Sequence, residues 1–321
     1  MKKKYILLLG MIFSFFACHD EGSLTAEYNY DEPIPAIADG PSEAQKLCYS
    51  LYQKYDLHAY YTLEGDEALR TPVGWTQTSF QYYVPDAYPL QAGDEATSAS
   101  FLKLMVKFFN LLPDELVKSA TRRHVLVKVS PAEDRLMLPW PVSIAYTDEA
   151  QQGIIYWGAM DDEIGVDADL WKYSLSFAYF ETRTSTYFHK DLPILWDFMA
   201  ISNGKYFYDY SDAEQDEVYE QMVIWDEESG EPIEMNMDYL MDNGFVSPYG
   251  MMMAGMTSYP YLDMVTYAVW IVNTPLVDRQ EILDNYPLVR LKYDLTIKYY
   301  KEHLDLDLEA FGKEWVKVAV E

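Results

Sequence analysis

Apolar positions begin to recur at helical spacing from Ser42. Ala44, Leu47, Cys48, Leu51, Tyr52 and Tyr55 fall three, four and seven apart behind a serine suited to cap a first turn, which predicts a helix. Residues 96–111 (ATSASFLKLMVKFFNL) predict a second, strongly amphipathic helix that Pro113 ends, and Asp114 opens another short one. At 123 the period changes. His124 to Val129 (HVLVKV) alternates as a strand does, and Pro141 to Tyr146 and Gly153 to Trp157 read as two more. A long helix is expected from Asp167 to Phe188, with Leu170, Trp171, Ser174, Leu175, Ala178 and Tyr179 turned inward. Asp226 to Glu231, between MVIW and PIEM, predicts a hairpin turn with Gly230 at its tip. Tyr261 to Val272 is apolar on nearly every side and is expected to be a buried helix; Asp278 to His303 and Leu308 to Val320 read as amphipathic helices. No internal repeat is present. The expected fold is α+β, with a small mixed sheet and helices over residues 42–166 followed by a mainly helical part over 167–321.

The first seventeen residues break this pattern. Lys2, Lys3 and Lys4 precede an uncharged apolar run, Tyr5 to Ala17. A helix needs ~20 such residues to cross a bilayer, so this run reads as a cleaved export signal over residues 1–17. Cys18 follows the small Ala17 and stands where a bacterial lipoprotein receives its acyl chains, palmitate among them; Phe15 and Phe16 make the cleavage box a loose one. Asp20 and Glu21 directly behind it resemble the signal that sends lipoproteins of Gram-negative gut bacteria to the outer face of the outer membrane. Residues 18–41, with three prolines, several acidic residues and no apolar period, read as a lipidated tether.

Charge narrows the partners. Export would remove three of the 24 basic residues, leaving 21 against 52 acidic ones and a net charge of about −31. Such a surface is repelled by phosphate backbones and by anionic lipid, so nucleic acid is excluded and the acyl chains on Cys18 would do the anchoring. With Cys18 acylated, Cys48 has no disulfide partner and reads as a small core residue. The 29 tyrosines read first as packing with the hydroxyl outward.

Candidate chemistry is thin. No two of His19, His58, His124, His189 and His303 lie four apart, so no helix can offer an imidazole pair to zinc. His19 in the tether and His58 at a helix end are expected to be solvated. The acidic run from Asp161 to Asp169 has its glycine at the fifth place and lacks an EF-hand ligand set; it reads as a solvated turn and helix cap. Phosphate loops and a nucleophile elbow are absent.

One string is specific. Gly244 to Tyr249 (GFVSPY) resembles a segment of the zinc-binding metallopeptidase lipoproteins of Gram-negative gut bacteria, a family found beside outer-membrane glycan-uptake systems. Asp197 to Tyr206 (DFMAISNGKY), Tyr293 to Leu308 (YDLTIKYYKEHLDLDL), Leu51 to Tyr61 and Gly153 to Ala159 (GIIYWGA) are similar to other segments of the same family, so the likeness spans residues 42–315. It implies a zincin-like fold, with a site between an H-E-x-x-H helix and an acidic helix. Counted back from Asp197, the zinc motif falls on Thr182, Arg183, Thr184, Ser185 and Thr186. Threonine hydroxyls are poor zinc ligands beside imidazole, and the guanidinium of Arg183 cannot act as a base. Only His189 remains nearby, and only Asp263 is left on the acidic helix. The resemblance therefore implies a degenerate member with no metal, no cofactor and no catalytic residue. A relict cleft of Thr182, Arg183, Thr186, His189, Asp263 and tyrosines would bind a peptide, a glycan or a partner protein. Two alternatives stand beside this: a hydrolase with a non-standard centre, such as Glu181 and Asp263 as acid and base, or a structural subunit of a glycan-uptake complex.

Overall fold

The computed structural model describes residues 36–61, 90–118, 123–129, 142–145, 153–156, 168–188, 192–226, 229, 232–253 and 261–320. The export signal, Cys18, the tether up to residue 35, the acidic run before residue 168 and His189 lie outside the described residues. Residues 36–321 form one compact unit.

Ser42 caps α1 (Glu43–Tyr55) in a capping box: its Oγ accepts the Gln45 N–H at 3.2 Å while Gln45 Oε1 accepts the Ser42 N–H at 3.1 Å. Asp56, in the left-handed region at φ 59°, ends the helix and turns the chain into β1 (His58–Tyr60). β2 (Leu90–Ala92) precedes α2 (Glu95–Asn110), whose cap is Asp94, and α3 (Asp114–Lys118). β3 (Arg123–Val129), β4 (Val142–Ala145) and β5 (Gly153–Tyr156) follow, each within a residue or two of the strand the alternation predicts.

The sheet is mixed. Its order is β1-β3-β5-β4, with β1 and β5 parallel to β3, β4 antiparallel to β5, and β2 antiparallel to the far end of β3. β1 and β2, three residues each, are too short to show an alternation, and His58 is the casualty. It is buried in β1, 3.5 Å from Asp56 and edge-on to the Tyr52 ring, not solvated at a helix end.

The rest is helical: α4 (Ala168–Phe188), α5 (Leu192–Ala200), a single 3-10 turn at Phe207–Asp209, α6 (Asp212–Met222), the hairpin β6 (Val223–Trp225) and β7 (Pro232–Met235), then α7 (Met237–Asp242), α8 (Pro248–Met253) and α9 (Leu262–Asn273). The expected single helix from Asp278 to His303 is two, α10 (Leu276–Asn285) and α11 (Pro287–Leu304). Pro287 has no N–H to continue α10 and instead supplies the first turn of α11, with Tyr286 extended at φ −118°. α12 (Leu308–Trp315) ends five residues short of the expected Val320.

Aromatic rings bind these parts into one core running from Ala44 to Trp315. Phe101 of α2 lies 5.0 Å from the Tyr156 ring of β5 and 5.4 Å from Trp171 of α4. Phe108, also on α2, meets Tyr179 of α4 and both Phe311 and Trp315 of α12 edge to face, at 5.5, 5.2 and 4.9 Å. Two lysines tie down the chain end beyond α12: Lys172 Nζ donates to Val316 O at 3.1 Å and Lys107 Nζ to Ala319 O at 3.0 Å. A second, smaller cluster (Tyr206, Val218, Met222, Val223, Leu240, Phe245, Met251) lies under α6 and the hairpin.

Cys48 is buried on α1, and burial pushes its thiol up to about 12. In a chain starting at His19, the folded protein is expected to leave a maleimide or disulfide probe unreacted at pH 8, with one thiol per chain titrating only after denaturation.

Candidate functional site

The segment that carries the family likeness builds a wall rather than a reagent. α7 stops at Gly244, whose φ of +81° a side chain would strain and whose added Cβ would stand 2.6 Å from Ser202 Oγ. Its carbonyl accepts the Tyr267 hydroxyl of α9 at 3.0 Å. Phe245 and Val246 are buried, the Ser247 hydroxyl accepts the Tyr249 N–H at 3.2 Å, and Pro248 opens α8. Tyr249 packs edge-on to Phe177 of α4 at 5.5 Å. Gly250 lets α8 close on α9: a Cβ there would meet Asp263 Oδ1 at 2.8 Å and Thr266 Oγ1 at 2.9 Å.

Behind that wall lies a buried ion pair. Lys292 of α11 places Nζ 2.6 Å from Asp263 Oδ2, with both side chains fully removed from solvent. The same oxygen accepts the Tyr206 hydroxyl at 2.8 Å, and Nζ lies 3.4 Å from that hydroxyl. Rings cover the ammonium on three sides, Phe245 at 4.2 Å, Phe198 at 5.1 Å and Tyr206 at 5.2 Å. Desolvation lowers the Lys292 pKa and Asp263 opposes it, while burial and then Asp263 push the Tyr206 and Tyr267 hydroxyls up. Asp263 Oδ1 has no hydrogen-bond partner, so one carboxylate oxygen is buried and unsatisfied.

The other predicted site residues face elsewhere. Thr182 on α4 is buried and donates its hydroxyl to its own helix, to Ala178 O at 2.8 Å and Tyr179 O at 2.9 Å. Arg183 is buried and reaches toward α3, where its Nη2 donates to Leu116 O at 3.0 Å. Thr184 shares a 2.6 Å hydrogen bond with Tyr300 of α11. Thr186 lies in the last turn of α4, its side chain outside the described residues, as is the whole of His189. Neither Thr182 nor Arg183 is among the partners of Asp263, whose carboxylate is engaged by Lys292 and Tyr206. α4 and α9 do meet, where Asn273 Nδ2 donates to Ser176 Oγ at 2.7 Å.

Zinc does not fit this donor set. The carboxylate of Asp263 is held by an ammonium 2.6 Å away, and Arg183 is a buried guanidinium that can neither ligate a cation nor accept a proton. Among the described residues no group of three or more His, Cys, Asp or Glu is placed to hold a metal ion. His124 is buried with Nδ1 3.2 Å from the Tyr156 hydroxyl, and His303 stacks on Tyr299.

Lys292 and Tyr206 escaped the sequence reading. A signal for Lys292 existed: with Val289, Tyr293, Thr296, Tyr299 and Tyr300 it falls on the inward stripe of α11.

Two outcomes are expected in denaturant unfolding. Lys292→Ala or Asp263→Ala should cost ~3–5 kcal/mol by stranding the other charge in the core, whereas Asp263→Leu with Lys292→Met should recover most of that loss. Gly244→Ala should destabilise by more than about 1 kcal/mol, since both its φ and its space are wrong for a side chain.

No protein-family model and no curated protein matches the sequence. Among solved structures, the crystal structure of a "putative zinc-binding metallo-peptidase" from Bacteroides caccae superposes with a TM-score of 0.52 over 86% of this chain and 90% of that one, at 14% sequence identity. At that identity the likeness is one of fold: the chain is a mainly helical protein with a small mixed sheet, and it shares that architecture with the Bacteroides caccae protein.

Proposed function

We propose that this chain is a lipid-anchored outer-membrane protein, facing the cell exterior, whose zincin-like scaffold no longer hydrolyses peptide bonds and serves to bind a peptide, a glycan or a partner protein. The observation that carries this reading is the Asp263–Lys292 pair. An acidic side chain placed on α9, the helix that faces α4, is neutralised by a lysine and sealed by three aromatic rings. A carboxylate so held cannot coordinate a cation or shuttle a proton to water without first losing its partner. The same holding argues against a hydrolase that uses Glu181 and Asp263 as its acid and base. On α4, Arg183 keeps a permanent positive charge at the second place of the five-residue slot, where zinc hydrolysis would need a base between neutral imidazoles. The anchor rests on the sequence, on Cys18 behind its apolar signal and on the acidic residues that follow it.

Metal analysis of the protein purified without chelator and then dialysed is expected to find substoichiometric zinc, and casein or peptide libraries to remain uncut with zinc added. One retained zinc per chain together with cleavage would refute the reading. Separately, Cys18→Ser should abolish labelling by a palmitate analogue and move the protein out of the outer-membrane fraction.

A further inference from the structure

The β6–β7 hairpin is an open sheet edge. Val223 pairs with Met235 and Ile224 with Glu234, and among the described residues neither strand pairs with a third. Partners directly opposite share a face, so Ile224 and Glu234 lie on one side of the ribbon, and Ile233 is the extra residue at the bulge beside them. Both isoleucines are exposed, Ile224 by 40% and Ile233 by 60%. Tyr219 of α6, 41% exposed and 6.2 Å from the Trp225 ring, extends the apolar surface. An edge carrying two exposed isoleucines invites another strand, because an added strand pairs with the free backbone and lays its own side chains beside them.

The charge around it selects what can be added. Thirteen acidic residues lie between 206 and 242, and the chain has no Lys, Arg or His from 206 to 278. Glu217, Glu220, Glu234 and Asp238 are all exposed on or beside the hairpin. Proteins commonly guard such edges with lysine or proline; here Pro232 and a register shift between Ile224 and Trp225 guard one end, and acid does the rest. A second copy carries the same acid and is repelled, so the edge stays open only to an opposite charge.

We infer that the β6–β7 edge, with Ile224, Ile233 and Tyr219, docks an extended segment of a partner protein in which Lys or Arg alternates with apolar side chains. This surface is separate from the Asp263 region and stands whether or not the scaffold hydrolyses anything.

The test uses the full chain in detergent and a short synthetic peptide alternating Lys and Val, with Lys/Ser and Glu/Val peptides as probes of charge and of apolar contact. The Lys/Val peptide is expected to bind, and to bind about tenfold or more weakly after Ile224→Ser with Ile233→Ser, since each buried isoleucine is worth ~1.5–3 kcal/mol. Glu281→Gln with Asp284→Asn, which removes two charges from α10, should change binding by less than about twofold. If the serine variant, folded by circular dichroism, binds as tightly as the parent, the inference is overturned. The same holds if the α10 variant loses as much, or if Lys/Ser binds as well as Lys/Val, because the attraction is then diffuse charge. Strong binding of Glu/Val also overturns it.

Discussion

A lysine without water is the constraint around which the second half of this fold is arranged. Taking an ammonium out of solvent costs several kcal/mol even after relaxation. Asp263 and three ring faces offset that cost only if α5, the Tyr206 turn, the Phe245 turn, α9 and α11 all arrive in register, because each contributes one wall. A pair of this kind adds little net stability over a well-packed apolar pair, yet it penalises every arrangement that leaves one partner alone. Its effect is to make the packing of these five segments close to all-or-none.

This reframes the string from Gly244 to Tyr249. A short, specific run in an otherwise divergent chain invites a catalytic reading, but its residues do mechanical work: a left-handed glycine, a ring over a cation, a proline that starts a helix and a tyrosine that spaces α8 from α4. Such demands are met by few residue types. That is a physical reason why a fold can be shared at 14% identity.

The parts of the fold legible in the sequence are those whose signal is local. The Ser42 cap and the stripe behind it, the amphipathic run of α2, the alternation of β3 and the pairing of the strands that flank the predicted hairpin turn each sit within a dozen residues, and all formed where expected, while Gly230 at the predicted tip lies outside the described residues. What escaped depends on distant partners. β1 exists because β3 offers it hydrogen bonds, which buries His58 with no periodicity of its own. The break before α11 was visible as Pro287 and overridden by the apolar spacing on either side. For the site, the fate of Asp263 depended on a lysine 29 residues away that composition marks as a surface residue. Burial of a charge becomes readable only when its counter-charge is placed.

The docking of α12 has a consequence for how the core closes. Phe311 and Trp315 close over Phe108, and the last carbonyls are held by Lys107 and Lys172. The core around α2 therefore cannot close until α12 has docked. Until α12 docks, those rings stay uncovered, and a chain caught at that stage exposes a large aromatic surface to other chains.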